Sequence, residues 1–374
     1  VSDLDVVVEG DAGTLALRAA NLQGGEVLIH APFLTARWSP PKRMAVDLTT
    51  ARRETYPSPA ALPEVEAADL DTDLLRRDFT INSMALCLDP DRLGTLRCAS
   101  NALKDLDSGL IRVHHRRSFL DDPCRAWRAA RFAARLKFSL HPETRLHLQD
   151  TVAKDGLRSL GLERKGAEIQ AVLEEDRVSD CIRLLEEWEV LPSLHPDARA
   201  TSEFMLNLNH VLESLEHFAE QGWPMPGSLP VLWQLLGSLL HQEDREAMVD
   251  LVPGDKHDRA RWTDGPRQLK EALTHLDSAT NRTEAGRLLR PLDPSTRVLL
   301  WALGRDARSR KWLAWWEREG RVVQTSVDGQ LLQSLGHPPG PSFRKALEAA
   351  RDAAWSGGDE DDQLEAALKS LELP

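Results

Sequence analysis

The sequence predicts an α+β fold, with a small mixed sheet in the first 115 residues and helices from there to the end. Three observations carry this. Short apolar or alternating runs, bounded by Gly and Pro, fall at 1–8, 26–35, 44–48, 85–88 and 111–113, which is the pattern of strands. From Phe119 onward, Ala-, Leu- and Arg-rich runs keep helical periodicity and are interrupted at Pro192, Pro224, Pro253, Pro291 and Pro338-Pro339, as helices joined by short connections are. A length of 374 residues with 41% hydrophobic content allows two or more packed domains.

Composition narrows the class. The longest apolar runs fall short of a membrane span and the start carries no cleavable signal pattern, so a soluble protein without a membrane partner is expected. Cys87, Cys98, Cys124 and Cys181 have no Cys-x-x-Cys spacing, which suggests neither a zinc site nor a disulfide framework and fits a reducing, cytoplasmic setting. A net charge of −12 argues against binding nucleic acid by overall electrostatics. Local basic tracks remain at Arg112 to Arg117, at Arg125/Arg128/Arg131/Arg135, and at Arg305 to Arg321 with its interleaved tryptophans; for each, a solvated helix face is the plainer reading.

Taken in order, residues 1–8 read as a strand. Asp3 and Asp5 are two apart, so both leave the same face. Two carboxylates held together repel when ionised and call for a divalent cation between them, although Asp-x-Asp is also common in turns. Residues 11–20 read as a helix, Gly24-Gly25 as a turn, and 26–35 and 44–48 as strands; Asp47, on the last, is either a third carboxylate or a turn cap. The Pro-rich stretch from Arg52 to Pro63, which includes Arg53 and Glu54, reads as a loop.

The stretch from Asp71 to Ala85 packs Arg76, Arg77, Asp78 and Asn82 ahead of apolar residues. Guanidinium forks match phosphate oxygens, and a nearby carboxylate or amide can hold ribose hydroxyls; Arg-Arg-Asp also occurs on solvated helix ends. Among the helices, Asp122 and Arg125 are three apart and would share a face. Together they complement cytosine or adenine, whose Watson–Crick edges each place an NH₂ donor beside a ring-nitrogen acceptor. Uracil and guanine present the reverse order and would leave polar groups unpaired. An ordinary ion pair would have the same spacing. Trp301, Trp312, Trp315 and Trp316 could stack on RNA, but tryptophans at helical spacing are more often core.

In sequence order these blocks resemble the class II tRNA nucleotidyltransferases, the CCA-adding enzymes and their relatives. Ser2-Asp-Leu-Asp-Val-Val-Val-Glu-Gly10 resembles the family's motif A, the stretch from Asp71 to Ala85 motif B, and Asp121-Asp-Pro-Cys-Arg125 with Arg128 and Arg131-Phe132 motif D. Val46 to Tyr56, Leu162-Glu-Arg164 with Glu168, and a tail-domain signature from Val327 to Pro341 complete the likeness. The resemblance implies a nucleotidyltransferase head (1–115), a helical neck (116–190), a body (191–322) and a tail (323–374), with the later parts gripping the tRNA acceptor arm. It also implies an enzyme that adds CMP and AMP from CTP and ATP to the tRNA 3′ end. Asp3, Asp5 and Asp47 would be catalytic, with Asp3 and Asp5 holding Mg²⁺ in a two-metal mechanism. Arg76, Arg77, Asp78, Asn82, Asp122, Arg125, Arg128 and Arg131 would bind the nucleotide, and Arg53 and Glu54 would lie in the family's flexible loop.

The chain departs from the family at two places. Members carry a strand and a Gly-Gly-x-x-Arg-Asp segment ahead of motif A, and Val1 begins after it, so either residues ahead of Val1 supply that turn or it is absent. Where the family has a hinge glycine in its motif C, this chain has Ala102, and only Asp105-Leu106 matches. An A-adding enzyme that completes tRNAs ending in CC, a poly(A) polymerase, and a non-catalytic RNA-binding module stay open as alternatives.

Overall fold

The computed structural model describes residues 3–304 and 306–372, apart from the side chains of Asp3 and Glu372. The Asp3 carboxylate and Ser2 of the first motif, and Arg305 of the Arg/Trp-rich stretch, therefore lie outside the described residues. The chain forms two compact units, Val1–Arg199 and Ala200–Pro374.

In the first unit, β1 (Asp3–Val8), α1 (Ala12–Gln23), β2 (Glu26–His30), β3 (Thr35–Ser39) and β4 (Ala45–Thr50) build a four-stranded sheet of order β1-β4-β3-β2. β1 runs parallel to β4, and the other neighbours are antiparallel. Asp11 caps α1 by accepting the Gly13 N–H. Ala12 and Ala16, one helical turn apart, bring the helix close to the sheet, where they pack on Ala36 and Leu48 with Val8, Val27, Trp38 and Val46 around them. Strand alternation then sends Asp5, Asp47 and Arg37 to the other face.

The single strand expected at 26–35 is two strands. Pro32 cannot donate to a ladder, and Leu34, at φ 53°, reverses the chain so that Glu26–His30 pairs antiparallel with Thr35–Ser39. Gly25, at φ +102°, makes the tight entry to β2; a Cβ there would lie 2.3 Å from the Ser39 carbonyl oxygen.

The stretch expected to be a loop begins as a strand. β5 (Arg52–Thr55) pairs antiparallel with β6 (Glu64–Ala67), so Arg53 and Glu54 are strand residues and only 56–63 is irregular. Ladder hydrogen bonds to a later partner override the polar, Pro-flanked composition. There follow α2 (Leu70–Arg76), a hairpin of β7 (Met84–Leu86) and β8 (Leu96–Cys98), α3 (Ala102–Ser108) and β9 (Leu110–Ile111). Ala102 is the buried first residue of α3. The left-handed residue is Asn101, at φ 66°, a type that tolerates that region, so position 102 requires no glycine conformation. Asp105, fully buried, holds Thr80 Oγ1 at 2.8 Å and the Arg112 guanidinium at 2.8 and 2.9 Å.

The helical part of this unit runs through α4 (Ser118–Asp121), α5 (Cys124–Leu136), β10 (Ser139–Leu140, beside β9), α6 (Pro142–Ala153), α7 (Leu162–Leu173) and α8 (Val178–Glu187). Asp122 and Arg125, expected on one helix face, do not share a helix. Asp122 terminates α4 at φ −134°, ψ 96°, and α5 starts at Cys124. The intervening Pro123 pushes its predecessor out of the helical region.

The second unit is helical: α9 (Ser202–Glu220), α10 (Ser228–Gly237), α11 (Gln242–Ala247), α12 (Lys256–His275), α13 (Arg282–Leu289), α14 (Pro294–Leu303), α15 (Ala307–Arg318), α16 (Gly329–Ser334), α17 (Pro341–Trp355) and α18 (Glu360–Glu372). Trp312, Trp315 and Trp316 are buried, while Trp301 is partly exposed. Val327, Leu332, Ala346, Ala350 and Ala367 form a separate small core under α16 to α18. Among the described residues no helix is long and apolar enough to cross a membrane.

Candidate active site

The face of the sheet away from α1 carries the first group of candidate residues. Asp5 of β1 is in direct register with Asp47 of β4, and Asp47 in direct register with Arg37 of β3. Neighbouring strands lie about 4.8 Å apart, so the two carboxylates stand side by side and open to solvent. Asp3 precedes Asp5 by one pleat and belongs to the same strand. Hard carboxylate oxygens in this arrangement are a donor set that fits a hard dication such as Mg²⁺. Arg37 Nη1 donates to Asp47 Oδ2 at 3.1 Å.

β4 leads almost directly into β5, whose alternation sends Arg52 and Glu54 to one side and Arg53 to the other. Glu54 Oε1 accepts from Arg52 Nη2 and from Arg76 Nη1, each at 2.9 Å, and Glu54 Oε2 accepts the Tyr56 hydroxyl at 3.1 Å. The fully buried Asp73 on α2 accepts Arg76 Nε at 2.8 Å, Arg77 Nη2 at 3.3 Å and the Arg52 backbone N–H at 3.3 Å. Two carboxylates thus fix the Arg76 fork before any ligand arrives.

Glu54, Tyr56 and Arg76 line one wall of a cleft of about 290 Å³; His115, Arg117, Asp121 and Arg125 line the other. Arg125 is nearly buried and donates to the Arg76 carbonyl at 2.9 Å, tying α5 to α2. Burial, and then the Glu54 charge, push the Tyr56 hydroxyl up to about 12, so it stays protonated and able to donate. Beneath, His114 Nε2 lies 2.7 Å from Ser83 Oγ, and burial followed by the Arg125 charge pushes His114 down to about 4.

The other predicted residues divide into those that join this cluster and those that do not. Asp78 Oδ1 accepts from Asn82 Nδ2 at 2.9 Å and Asp78 Oδ2 from Arg128 Nε at 2.8 Å, so Asp78, Asn82 and Arg128 form one chain from motif B to α5. Asp122 Oδ1 accepts from Arg164 Nη2 at 2.8 Å, while Arg125 stands 4.0 Å from Asp122 Oδ2. Arg131 points elsewhere, to Glu175 at 2.9 Å. Arg53 is exposed and away from Glu54. Sequence reasoning gave no part to Asp73, Tyr56 or His115. Helical spacing could have found Asp73, which stands three and four residues before the two arginines.

A family model of the poly A polymerase head domain matches residues 1–112. An A-adding tRNA nucleotidyltransferase from Geobacter sulfurreducens is 31% identical across 98% of this chain and 43% of its own length, so the chain spans less than half of that protein. Another A-adding tRNA nucleotidyltransferase, from Halalkalibacterium halodurans, is 30% identical across 92% of this chain and 78% of its own. A solved CCA-adding enzyme, in an apo form, superposes with a TM-score of 0.84 at 26% identity over 97% of this chain and 86% of its own. On the Halalkalibacterium match, which runs through most of both chains, this chain belongs to the class II tRNA nucleotidyltransferases of the poly(A) polymerase head family, whose chemistry generally uses divalent metals.

Proposed function

We propose that this chain transfers CMP or AMP from CTP or ATP to the 3′ end of tRNA without a nucleic-acid template. One observation carries the reading: three segments far apart in sequence bring Glu54/Tyr56, Arg76 and Arg125 to a single cleft, on the strand that continues from the Asp47 strand. Arg76 and Arg77, held by Asp73, bind triphosphate oxygens as forks. Asp78 and Asn82 hold the ribose, with Arg128 orienting Asp78. Arg125 and Asp122 read the base edge, Arg164 fixing the Asp122 carboxylate. Arg131, engaged by Glu175, braces α5 rather than touching the nucleotide.

Asp3, Asp5 and Asp47 hold Mg²⁺, for which two sites are expected. When bound, the cations lower the pKa of the attacking 3′-hydroxyl and stabilise charge on the departing pyrophosphate. Head (1–115) and neck (116–190) form the catalytic part, and body (191–322) and tail (323–374) grip the acceptor arm. Four free thiols suit work in the cytoplasm.

A narrower reading is favoured by two relatives: the Geobacter and Halalkalibacterium proteins are A-adding enzymes, and this chain then completes tRNAs that end in CC with ATP alone. The test offers CTP, ATP and their mixture, with Mg²⁺, to tRNA ending at the discriminator base, at C and at CC. Growth of all three to CCA establishes full CCA addition. Extension of the CC substrate alone, by ATP, establishes the A-adding specialist. No incorporation by wild type, or full incorporation by Asp5→Asn, overturns the catalytic reading.

A further inference from the structure

Arg37 has a place in the site that neither sheet stability nor nucleotide binding accounts for. It is the register partner of Asp47 on β3 as Asp5 is on β1, so the three form a row across the open face: carboxylate, carboxylate, guanidinium. Arg37 Nη1 donates to Asp47 Oδ2 at 3.1 Å, with the two side chains 46% and 30% exposed. An ion pair so open to water contributes little to folding, and this sheet already has its ladders and the α1 core. Asp5, one strand over, has neither a hydrogen bond nor an ion pair among the described residues. The guanidinium therefore sits on one carboxylate oxygen of a pair whose other member is left open.

We infer that Arg37 is a resident counter-ion that competes with the divalent cation for Asp47 and so sets how readily the site loads. Before a cation binds, Arg37 offsets the repulsion between Asp5 and Asp47. A dication entering between the carboxylates must displace Arg37 from Oδ2 and then stand beside its positive charge, which opposes binding. The inference rests on Asp5 and Asp47 being the metal-binding carboxylates. Arg37 is a positioning residue that acts through Asp47. Phosphate groups arriving with the nucleotide give the displaced guanidinium a new anionic partner, so metal loading is coupled to nucleotide binding.

The test is a Mn²⁺ titration of the whole chain without nucleotide, with free Mn²⁺ read by electron paramagnetic resonance at low ionic strength, where screening is weakest. Arg37→Met should bind Mn²⁺ about three- to ten-fold more tightly than wild type, and Arg37→Lys, which keeps the charge, should stay within about two-fold of wild type. With ATP present, the gain in Mn²⁺ affinity should be smaller in Arg37→Met than in wild type. Equal or weaker Mn²⁺ binding by Arg37→Met, with a circular-dichroism spectrum like wild type, overturns the counter-ion role. If Asp5→Asn and Asp47→Asn leave Mn²⁺ binding unchanged, the metal site itself is misassigned and the inference falls with it.

Discussion

Asp73 and His114 show how much of this cluster is built by residues outside the cleft lining. Asp73 is fully buried and serves three donors at once, two of them the arginines proposed for the triphosphate. Asp73→Ala leaves Arg76 with Glu54 alone and Arg77 without its carboxylate, so it should cost about 1.5–3 kcal/mol, read as a lower urea midpoint, and should raise KM for the nucleotide in whatever folded protein remains. His114 sets a pH dependence. Its pKa falls from 6.5 to about 4 on folding, so below about pH 6.5 the unfolded chain takes up a proton that the folded one refuses. Stability contributed this way is complete above pH 6.5 and is lost as pH falls toward 4. Between pH 7 and pH 4.5 wild type should lose about 2 kcal/mol more than His114→Gln, measured by urea unfolding at each pH; equal losses would show that His114 titrates normally. The clustering of Arg76, Arg77, Asp78 and Asn82 was legible in the sequence because it is local. The link from Arg125 to the Arg76 carbonyl, 49 residues away, was not, because only tertiary packing creates it.

The β5–β6 hairpin and the α4–α5 break are two of the places where reading by pattern failed. Charged residues between prolines look like a loop when the pairing partner lies further along, and Asp122 and Arg125 look like one helix face until Pro123 is given its due. Both departures meet at Arg164 of α7. Arg164 Nη1 donates to the Ala60 carbonyl in the irregular part of the hairpin, and Nη2 donates to Asp122 Oδ1, each at 2.8 Å. A single guanidinium therefore holds the hairpin tip and the carboxylate proposed to read the base in one geometry. Arg164→Ala should free both, with two readouts that move together. Amide hydrogen exchange in residues 56–63 should speed up by about tenfold or more, and KM for the nucleotide should rise about tenfold, the loss of a charged hydrogen bond worth about 1.5 kcal/mol. Unchanged exchange at 56–63 would mean that the hairpin is held by its own ladder alone.

At the scale of the molecule, a chain of net charge −12 is proposed to hold a polyanion. The fold class was legible because period-two patterns stop near residue 115 and helical ones follow. The break after Arg199 lies a few residues past the neck-to-body boundary that the family likeness implies at 190/191, and Pro192 and Pro196 near it do not place it more closely. Nor could the sequence say which arginines are free. Arg112 is taken by Asp105, Arg131 by Glu175 and Arg297 by Glu317. In the second unit, Arg310 and Arg318 instead lie 5.8 and 5.7 Å from the ring centroids of Trp301 and Trp223, exposed and without a carboxylate partner among the described residues. Only cations on the surface that meets RNA release counterions on binding. If these two arginines and one further cation form that surface, the slope of log Kobs against log salt for tRNA should be about −2 to −3, shallow beside that of a basic protein that neutralises many phosphates. If these two arginines supply phosphate contacts, Arg310→Ala and Arg318→Ala should each reduce the slope by nearly one and weaken binding several-fold at low salt, while Asp5→Asn leaves the slope unchanged. Filter binding between 50 and 200 mM salt decides it: a steep slope untouched by either arginine would place the RNA-binding surface elsewhere.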